Sequence, residues 1–374
     1  MTIKTIHGQF KFELQRFIDK KRGVGFDYFA WSHQCQNGYE SERLREWVCY
    51  LANRLSYPEL SKELKRHSGT QLLSADRVRD IVIEKATQIS IEQDQQGQQV
   101  LSGGQTVPKH LTQIDLYDPD SDEVLLLCDG IQVKRQKATR KSHQDGLPTD
   151  ERSQTGSKRV NTDVIMLQQQ NQAFRYLIEG LEQSDQVHLT LPQLTQAALI
   201  TEYGDRADPL PLVAITDGAR HIRLLFEQIF DQPVPIILDW YHLQKKCLQL
   251  LSMIARNKTE KERHLPIILN QLWHGQVQDT IAYLQDNVLP RNQLKFDELI
   301  TYLRKHQSEI INYERRKQAG KTIGSGRMEK GVDLTIGHRQ KHKGMSWSDL
   351  GSRALALLKM VELNGLWHTL WAFS

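Results

Sequence analysis

Residues 211–242 read PLVAITDGARHIRLLFEQIFDQPVPIILDWYH, and this stretch decides the fold class. PLVAIT is a short aliphatic run closed by Asp217-Gly218, the pattern of a buried strand ending in a turn. ARHIRLLFEQIF then repeats apolar residues at three- and four-residue spacing, as an amphipathic helix does. PVPIIL returns to a strand and ends in Asp239. A strand–helix–strand unit calls for parallel strands with helices packed against them. Upstream, EVLLLCDGIQVK reads as a buried strand centred near Asp129. RVNTDVIMLQ and AFRYLIEGL read as two more strands, although the second could start a helix, and LPQLTQAALITEYG is a helix ended by Gly204. Three strands followed by β–α–β alternation predict an α/β core with a mixed sheet, its first part spanning residues 120–242.

The remaining segments read differently. Residues 243–316 contain no strand-like run and predict an all-α insertion, and residues 317–374 predict the C-terminal helices of the core. That tail reads as a helix from Met328, a Gly-containing turn at Lys343–Ser346, and a helix carrying Leu350, Leu355, Leu358 and Val361. Residues 1–40 form a strand and loop region, with a short strand or hairpin arm between Ile6 and Phe17. In residues 41–90, Leu44, Trp47, Val48, Leu51 and Leu55 share one helical face. Ser56 caps a second helix with Pro58 in its first turn and Gly69 at its end, and Ser74 caps a third with Val78, Ile81 and Val82 on its apolar face. Helix, short break and helix is the outline of a helix-turn-helix, and equally of a small helical packing module. Residues 91–119 are Gln- and Gly-rich and read as a linker.

Composition narrows the function classes. Hydrophobic residues make up 39% and charged residues 25% of 374, as in an ordinary globular protein. Mean hydropathy is −0.54 and no apolar run approaches the ~18 residues of a membrane-spanning helix. The first residues alternate polar and apolar side chains, unlike a signal peptide. Four scattered cysteines without a CxxC pair speak against a disulfide framework and a four-Cys zinc site, and the expected location is the cytoplasm. Zinc on Cys35, Cys49 and His33 would need an irregular spacing. AGKTIGSG contains GKT, but Arg315 stands where a phosphate-binding loop needs its first glycine.

The net charge of +4 is uneven. Residues 131–160, 241–265 and 311–343 carry +5, +4 and +6, which leaves −11 for the other 286 residues. Such basic segments suit a polyanion. The first of them includes a polar, non-periodic stretch from Ala138 to Lys158 that reads as a mobile basic loop.

Asp129, Asp217 and Asp239 stand at the centre or end of three apolar strands. A carboxylate in such a setting costs several kcal/mol unless it is paired or metal-bound. Ligands of α/β sheets sit at the carboxyl ends of strands. Neighbouring parallel strands would bring two of these carboxylates together, and like charges that close need a cation to stay ionised. Oxygen ligands favour Mg²⁺ or Mn²⁺ over zinc.

These motifs, taken in order, resemble the DDE-type transposases of bacterial insertion sequences, in the branch related to mutator-like elements. CDGIQVKRQK resembles the first-strand motif around Asp129, and ITDGARHI the second around Asp217. LDWYHLQKK resembles the [C/D]xxH motif with Asp239 and His242. After the helical insertion, GSGRMEKGVDLTIGHRQKHKGMSW aligns Glu329 with the third acid, 112 residues beyond Asp217 and 200 beyond Asp129. Glu314 and Glu362 are acidic competitors in the same tail. The resemblance covers roughly residues 120–365 and implies an RNase H-like core. It also implies catalysis by Asp129, Asp217 and Glu329, which would hold two Mg²⁺ or Mn²⁺ ions for in-line phosphoryl transfer. Water first releases a 3′-OH at the element end, and that 3′-OH then attacks target DNA. No nucleotide cofactor is implied. The implied partners are terminal inverted repeats, target DNA and further copies of the chain, in a prokaryotic cytoplasm with the protein on the nucleoid when DNA-bound.

Auxiliary roles follow. Asp239 and His242 would assist the site or serve as scaffold, the histidine hydrogen-bonding back to the strand-end carboxylate. Lys321, Arg327, Lys330, Arg339, Lys341 and Lys343 are expected at DNA phosphates, as are Lys134 and Arg135 after the first strand and Lys245 and Lys246 after the third. Trp347 could stack on an extruded base, Trp240 fits core packing better, and Arg77 and Arg79 are expected to read DNA from the third helix. The alternative to a transposase is a non-catalytic DNA-binding regulator, or a decayed copy, acting through the helix-turn-helix.

Overall fold

The computed structural model describes residues 1–14, 16–28, 32, 38–137, 158–341 and 344–371. Lys343, all but the last residue of the expected basic loop from Ala138 to Lys158, and His33 and Cys35 lie outside these residues. The chain begins with the hairpin β1 (Thr2–Thr5) and β2 (Gly8–Lys11), followed by a second hairpin of β3 (Arg16–Ile18) and β4 (Gly25–Asp27). Strand β5 (Tyr39–Glu40) pairs in parallel with β1.

Three capped helices follow. The Ser41 hydroxyl accepts the Leu44 N–H at the start of α1 (Glu42–Ala52). Ser56 and Glu59 form a reciprocal capping box on α2 (Tyr57–Ser68), which Gly69 ends at φ +74°. Ser74 caps α3 (Ala75–Ser102). This third helix is 28 residues long, so the reading of 91–119 as a linker is corrected for its first twelve residues. Glutamine is a good helix former, and the polar stretch is anchored by its buried side. The Ser90 hydroxyl accepts the Leu181 N–H at 2.7 Å, and Gln93 Nε2 donates to the Ile178 carbonyl at 3.1 Å. At Gly97 a Cβ would stand 2.6 Å from Leu189 Cδ1, so a larger residue would have to push that side chain aside.

The central sheet comprises β6 (Val124–Lys134), β7 (Arg159–Gln168), β8 (Phe174–Leu177), β9 (Leu212–Thr216) and β10 (Ile236–Leu238), in the order β10-β9-β6-β7-β8. Strands β6, β9 and β10 run parallel, whereas β7 is antiparallel to both β6 and β8. Successive side chains alternate between the two faces. Leu126 and Cys128 pack on one face with Ala198 of α4 (Leu191–Tyr203) and Phe226 of α5 (Arg220–Ile229). Leu125 and Leu127 face a second apolar cluster that continues into Leu44, Val48 and Ile81 of the N-terminal helices.

Helix α6 (Trp240–Ile254) starts directly at the end of β10. The expected boundary between residues 242 and 243 therefore falls inside an unbroken helix. The helical block continues with α7 (Lys258–Trp273), α8 (Val277–Asn287), α9 (Gln293–Lys305) and α10 (Tyr313–Gln318). Trp240, Trp273 and Tyr313 form an aromatic cluster at its base, and the Tyr313 hydroxyl donates to the Leu238 carbonyl at 2.8 Å. The chain returns to the sheet through α11 (Gly326–Val332), a π-helical turn at Asp333–Gly337, α12 (His338–Gln340), α13 (Asp349–Leu363) and α14 (Trp367–Leu370). Leu350, expected on the apolar face of α13, is instead 45% exposed in its first turn.

Candidate active site

Strand register sets the centre of the site. On the parallel pair β6–β9, Leu127 is opposite Ile215, so two residues further Asp129 comes level with Asp217. On β9–β10, Leu238 is opposite Thr216, which brings Asp239 level with Asp217 from the other side. Asp129, Asp217 and Asp239 share parity with Leu127, Ile215 and Ile237, all three of which face the same apolar cluster. Asp129 thus lies at the centre of β6, just past the last pair of its parallel ladder with β9, while Asp217 and Asp239 directly follow the ends of β9 and β10.

Their surroundings divide them. Asp239 has no exposure and caps α6, its Oδ1 accepting the His242 N–H at 2.7 Å while Oδ2 accepts the Ser325 N–H. The same Oδ1 lies 3.3 Å from His242 Nδ1. Burial alone would raise the Asp239 carboxyl, but the hydrogen bonds from His242 and Ser325 prevail and hold it below its ordinary range. That hydrogen bond to Asp239 in turn raises the His242 imidazole. Asp129 and Asp217 are half-buried, and each commits one oxygen locally, to the Gly130 N–H at 2.7 Å and the Ala219 N–H at 2.8 Å. Burial pushes the Asp129 carboxyl up, and the negative charges of Asp217 and Glu329 push the same way.

Glu329 is carried on α11, which packs over β6 and β7. The approach is close at Gly331, where a Cβ would stand 2.6 Å from Met166 Sδ of β7 and would have to displace that side chain. The carboxylate is 55% exposed, and Oε1 lies 3.8 Å from His242 Nε2. His242 therefore stands between buried Asp239 and exposed Glu329. The competitors point elsewhere, Glu314 to His274 at 3.1 Å and Glu362 to Arg54 at 2.6 Å. Asp129, Asp217 and Glu329 offer oxygen donors only, the chemistry that suits Mg²⁺ or Mn²⁺. Among the described residues, no three His, Cys, Asp or Glu side chains already converge closely enough to hold a metal ion.

The basic residues split between surface and scaffold. Lys134, Lys245, Arg327, Lys330 and Lys341 are exposed. Arg135 pairs with Asp349 at 2.9 Å, and Lys246 with Glu298 at 2.8 Å. Three expected DNA contacts, Lys321, Arg339 and Trp347, are corrected to buried structural roles, and a fourth, Arg77, is held by carboxylates. Lys321 is buried against Glu123 at 3.5 Å and the Ser121 hydroxyl at 2.7 Å. Arg339 is buried and donates to the Ala52 carbonyl at 2.8 Å. Trp347 is buried, its indole N–H donating to the Gln340 carbonyl at 3.0 Å beneath the Arg339 guanidinium. Arg77 is clamped by Glu40 at 2.6 Å and Glu84 at 2.6 Å. Arg79 is exposed but lies between Asp76 at 3.2 Å and Asp80 at 3.1 Å, which offset its charge. Trp240 lies in the core, as expected.

Two groups near the site escaped the sequence reading. His221 Nε2 lies 3.5 Å from Asp163 Oδ1 beside Gly130. An open cleft of about 500 Å³ beside Asp217 is lined by Arg220 and His242 and also by Tyr302, Lys305 and His306 of the helical block. Arg220 follows the Asp217 turn and was legible as its neighbour, whereas nothing local marks Lys305, 88 residues beyond Asp217. No helix among the described residues is long and apolar enough to cross a membrane. No protein-family model matches the chain, and no curated protein matches it.

Proposed function

We propose that the chain is a DNA transposase with an RNase H-like catalytic core, which cuts the ends of its element and joins them to target DNA. The observation that carries this reading is the placement of Asp129 just past the last pair of the parallel β6–β9 ladder and of Asp217 directly after β9, with α11, which carries Glu329, packed on β6. The strand order supports it: three consecutive antiparallel strands, then two strands parallel to the first on its free side.

Asp129, Asp217 and Glu329 would hold the divalent cations, Mg²⁺ or Mn²⁺. Bound there, the ions supply Lewis-acid stabilisation of the attacking and leaving oxygens. The protein holds the carboxylates in position through the Gly130 and Ala219 N–H groups. Asp239 orients His242, whose Nε2 faces Glu329 and steadies that exposed carboxylate. In the first step a water oxygen bonds to phosphorus and the P–O3′ bond breaks, leaving a 3′-OH and a 5′-phosphate. In the second, that 3′-OH attacks a target phosphorus and displaces the target's own 3′ oxygen. Both steps conserve the same five-coordinate geometry, so one set of acids serves both.

The test is strand transfer. The protein is incubated with Mg²⁺ or Mn²⁺, DNA carrying the sequences that flank its own coding region, and a supercoiled target plasmid. The expected products are nicks ending in a 3′-OH, and plasmid covalently joined to the element end. Nicks ending in a 3′-phosphate, or cutting that never yields joined product, would contradict the transposase reading.

A further inference from the structure

The cleft beside Asp217 brings together cations from three elements that are distant in sequence. Arg220 opens α5, Lys245 lies one turn into α6, and Lys305 ends α9. All three are exposed, and none has a carboxylate partner among the described residues. Lys246, on the same cleft, is held by Glu298 at 2.8 Å. Three exposed cations around one cleft, against the single carboxylate of Asp217, give it a positive wall that suits an anionic ligand. Gly218, Ala219 and Arg220 also line the cleft, but the Gly218 and Ala219 N–H groups are already donated to Thr216 Oγ1 and Asp217 Oδ1, so the cationic side chains carry the preference for an anion.

The far wall is fixed relative to the acids. At Gly218, φ is +81° and a Cβ would stand 2.6 Å from His306 Cε1, so the Asp217 turn and the end of α9 are in direct contact. His306 Nδ1 is 2.7 Å from Glu309, which Arg223 of α5 grips at 2.6 Å. The helical block is thereby locked onto the strand-end turn, and Lys305 is carried to a set place beside it.

Resting on the polynucleotide chemistry proposed above, we propose that this cleft seats the phosphodiester backbone of the strand that enters the acidic site, with Arg220, Lys245 and Lys305 as its phosphate contacts. The helical block is then one wall of the substrate channel. Contacts of this kind place the strand and carry no base information.

The experiment titrates full-length protein against a fluorescein-labelled duplex of random sequence with a single-stranded 3′ overhang, by anisotropy over a range of NaCl. Arg220→Gln/Lys305→Gln is compared with wild type and with Lys258→Gln/Lys261→Gln, an equal loss of charge on α7, beyond the far end of α6. Each phosphate contact contributes about 0.7–0.9 to the slope of log affinity against log salt. The cleft variant is expected to lose roughly 1.5 from that slope and to bind about tenfold or more weakly, while the α7 variant matches wild type. Melting temperatures equal to wild type establish that the variants fold. Slope and affinity equal to wild type in the cleft variant, or an equal loss in both variants, would overturn the assignment. Cleavage of DNA carrying the sequences that flank the coding region is followed in parallel, so the two ideas separate. Wild type that binds through the cleft but never cuts refutes the transposase reading alone, whereas a cleft variant that binds and cuts normally refutes the cleft alone.

Discussion

Asp129, at the centre of β6, and Asp239, directly after β10, are the same residue type in one sheet, yet their environments drive them in opposite directions. Burial, with two negative neighbours pushing the same way, raises the Asp129 carboxyl, whereas at Asp239 the hydrogen bonds from His242 and Ser325 outweigh burial and lower it. A lowered carboxyl stabilises the fold fully above its unfolded value, near ~3.9, and that contribution is lost as pH falls through the folded value. Asp239→Asn keeps one acceptor oxygen but loses the charge. It is expected to cost about 1–3 kcal/mol at pH 7, read as a lower urea midpoint. The gap to wild type should narrow as pH falls below about 4, the unfolded value, because the stabilisation from the Asp239 charge is lost progressively from there down. A gap that stays constant over that range would mean that the charge of Asp239 plays no part. The three aspartates were legible in the sequence because each interrupts an apolar run. Their division into half-buried acids and a buried cap was not, because it depends on Ser325, 86 residues beyond Asp239.

Among the elements, the strand and helix alternation from residue 124 to Ile254 could be read from period alone, with Asp239 as the hinge from β10 into α6. The C-terminal half of α3 could not, since composition suggested a linker while Ser90, Gln93 and Gly97 fasten it to the core. Basic residues were the least legible feature. Lys321, Arg339 and Arg77 look like DNA contacts until their partners, 198, 287 and 37 residues away, are brought to them by the fold. Arg316 is the extreme case. It is fully buried on α10, reaches Glu123 at 2.5 Å, and donates to the carbonyls of Thr322 at 2.7 Å and Leu116 at 3.1 Å. It pins the end of the helical block to the residue before β6. Arg316→Ala leaves Glu123 without its main partner, and a loss of about 3–5 kcal/mol is expected in equilibrium denaturation. A loss under 1 kcal/mol would show that this junction does not hold the block in place.

At the scale of the molecule, one continuous apolar cluster joins the N-terminal helices, one sheet face and the helical block, and the site lies where these parts meet. The strands supply Asp129 and Asp217, the return segment supplies Glu329, and the helical block supplies the basic wall opposite. That assembly explains why a modest net charge of +4 coexists with concentrated basic segments. The central claim is that Asp129, Asp217 and Glu329 act together on a phosphodiester. The most direct measurement is divalent-dependent nicking of end-bearing DNA by wild type, Asp129→Asn, Asp217→Asn and Glu329→Gln, at protein concentrations giving equal DNA occupancy. The account predicts cutting by wild type with Mg²⁺ or Mn²⁺ and a loss of about a thousandfold or more in each variant while binding persists. Cutting that survives any one of these substitutions at near wild-type rate would contradict it, as would wild type that binds the ends and never cuts.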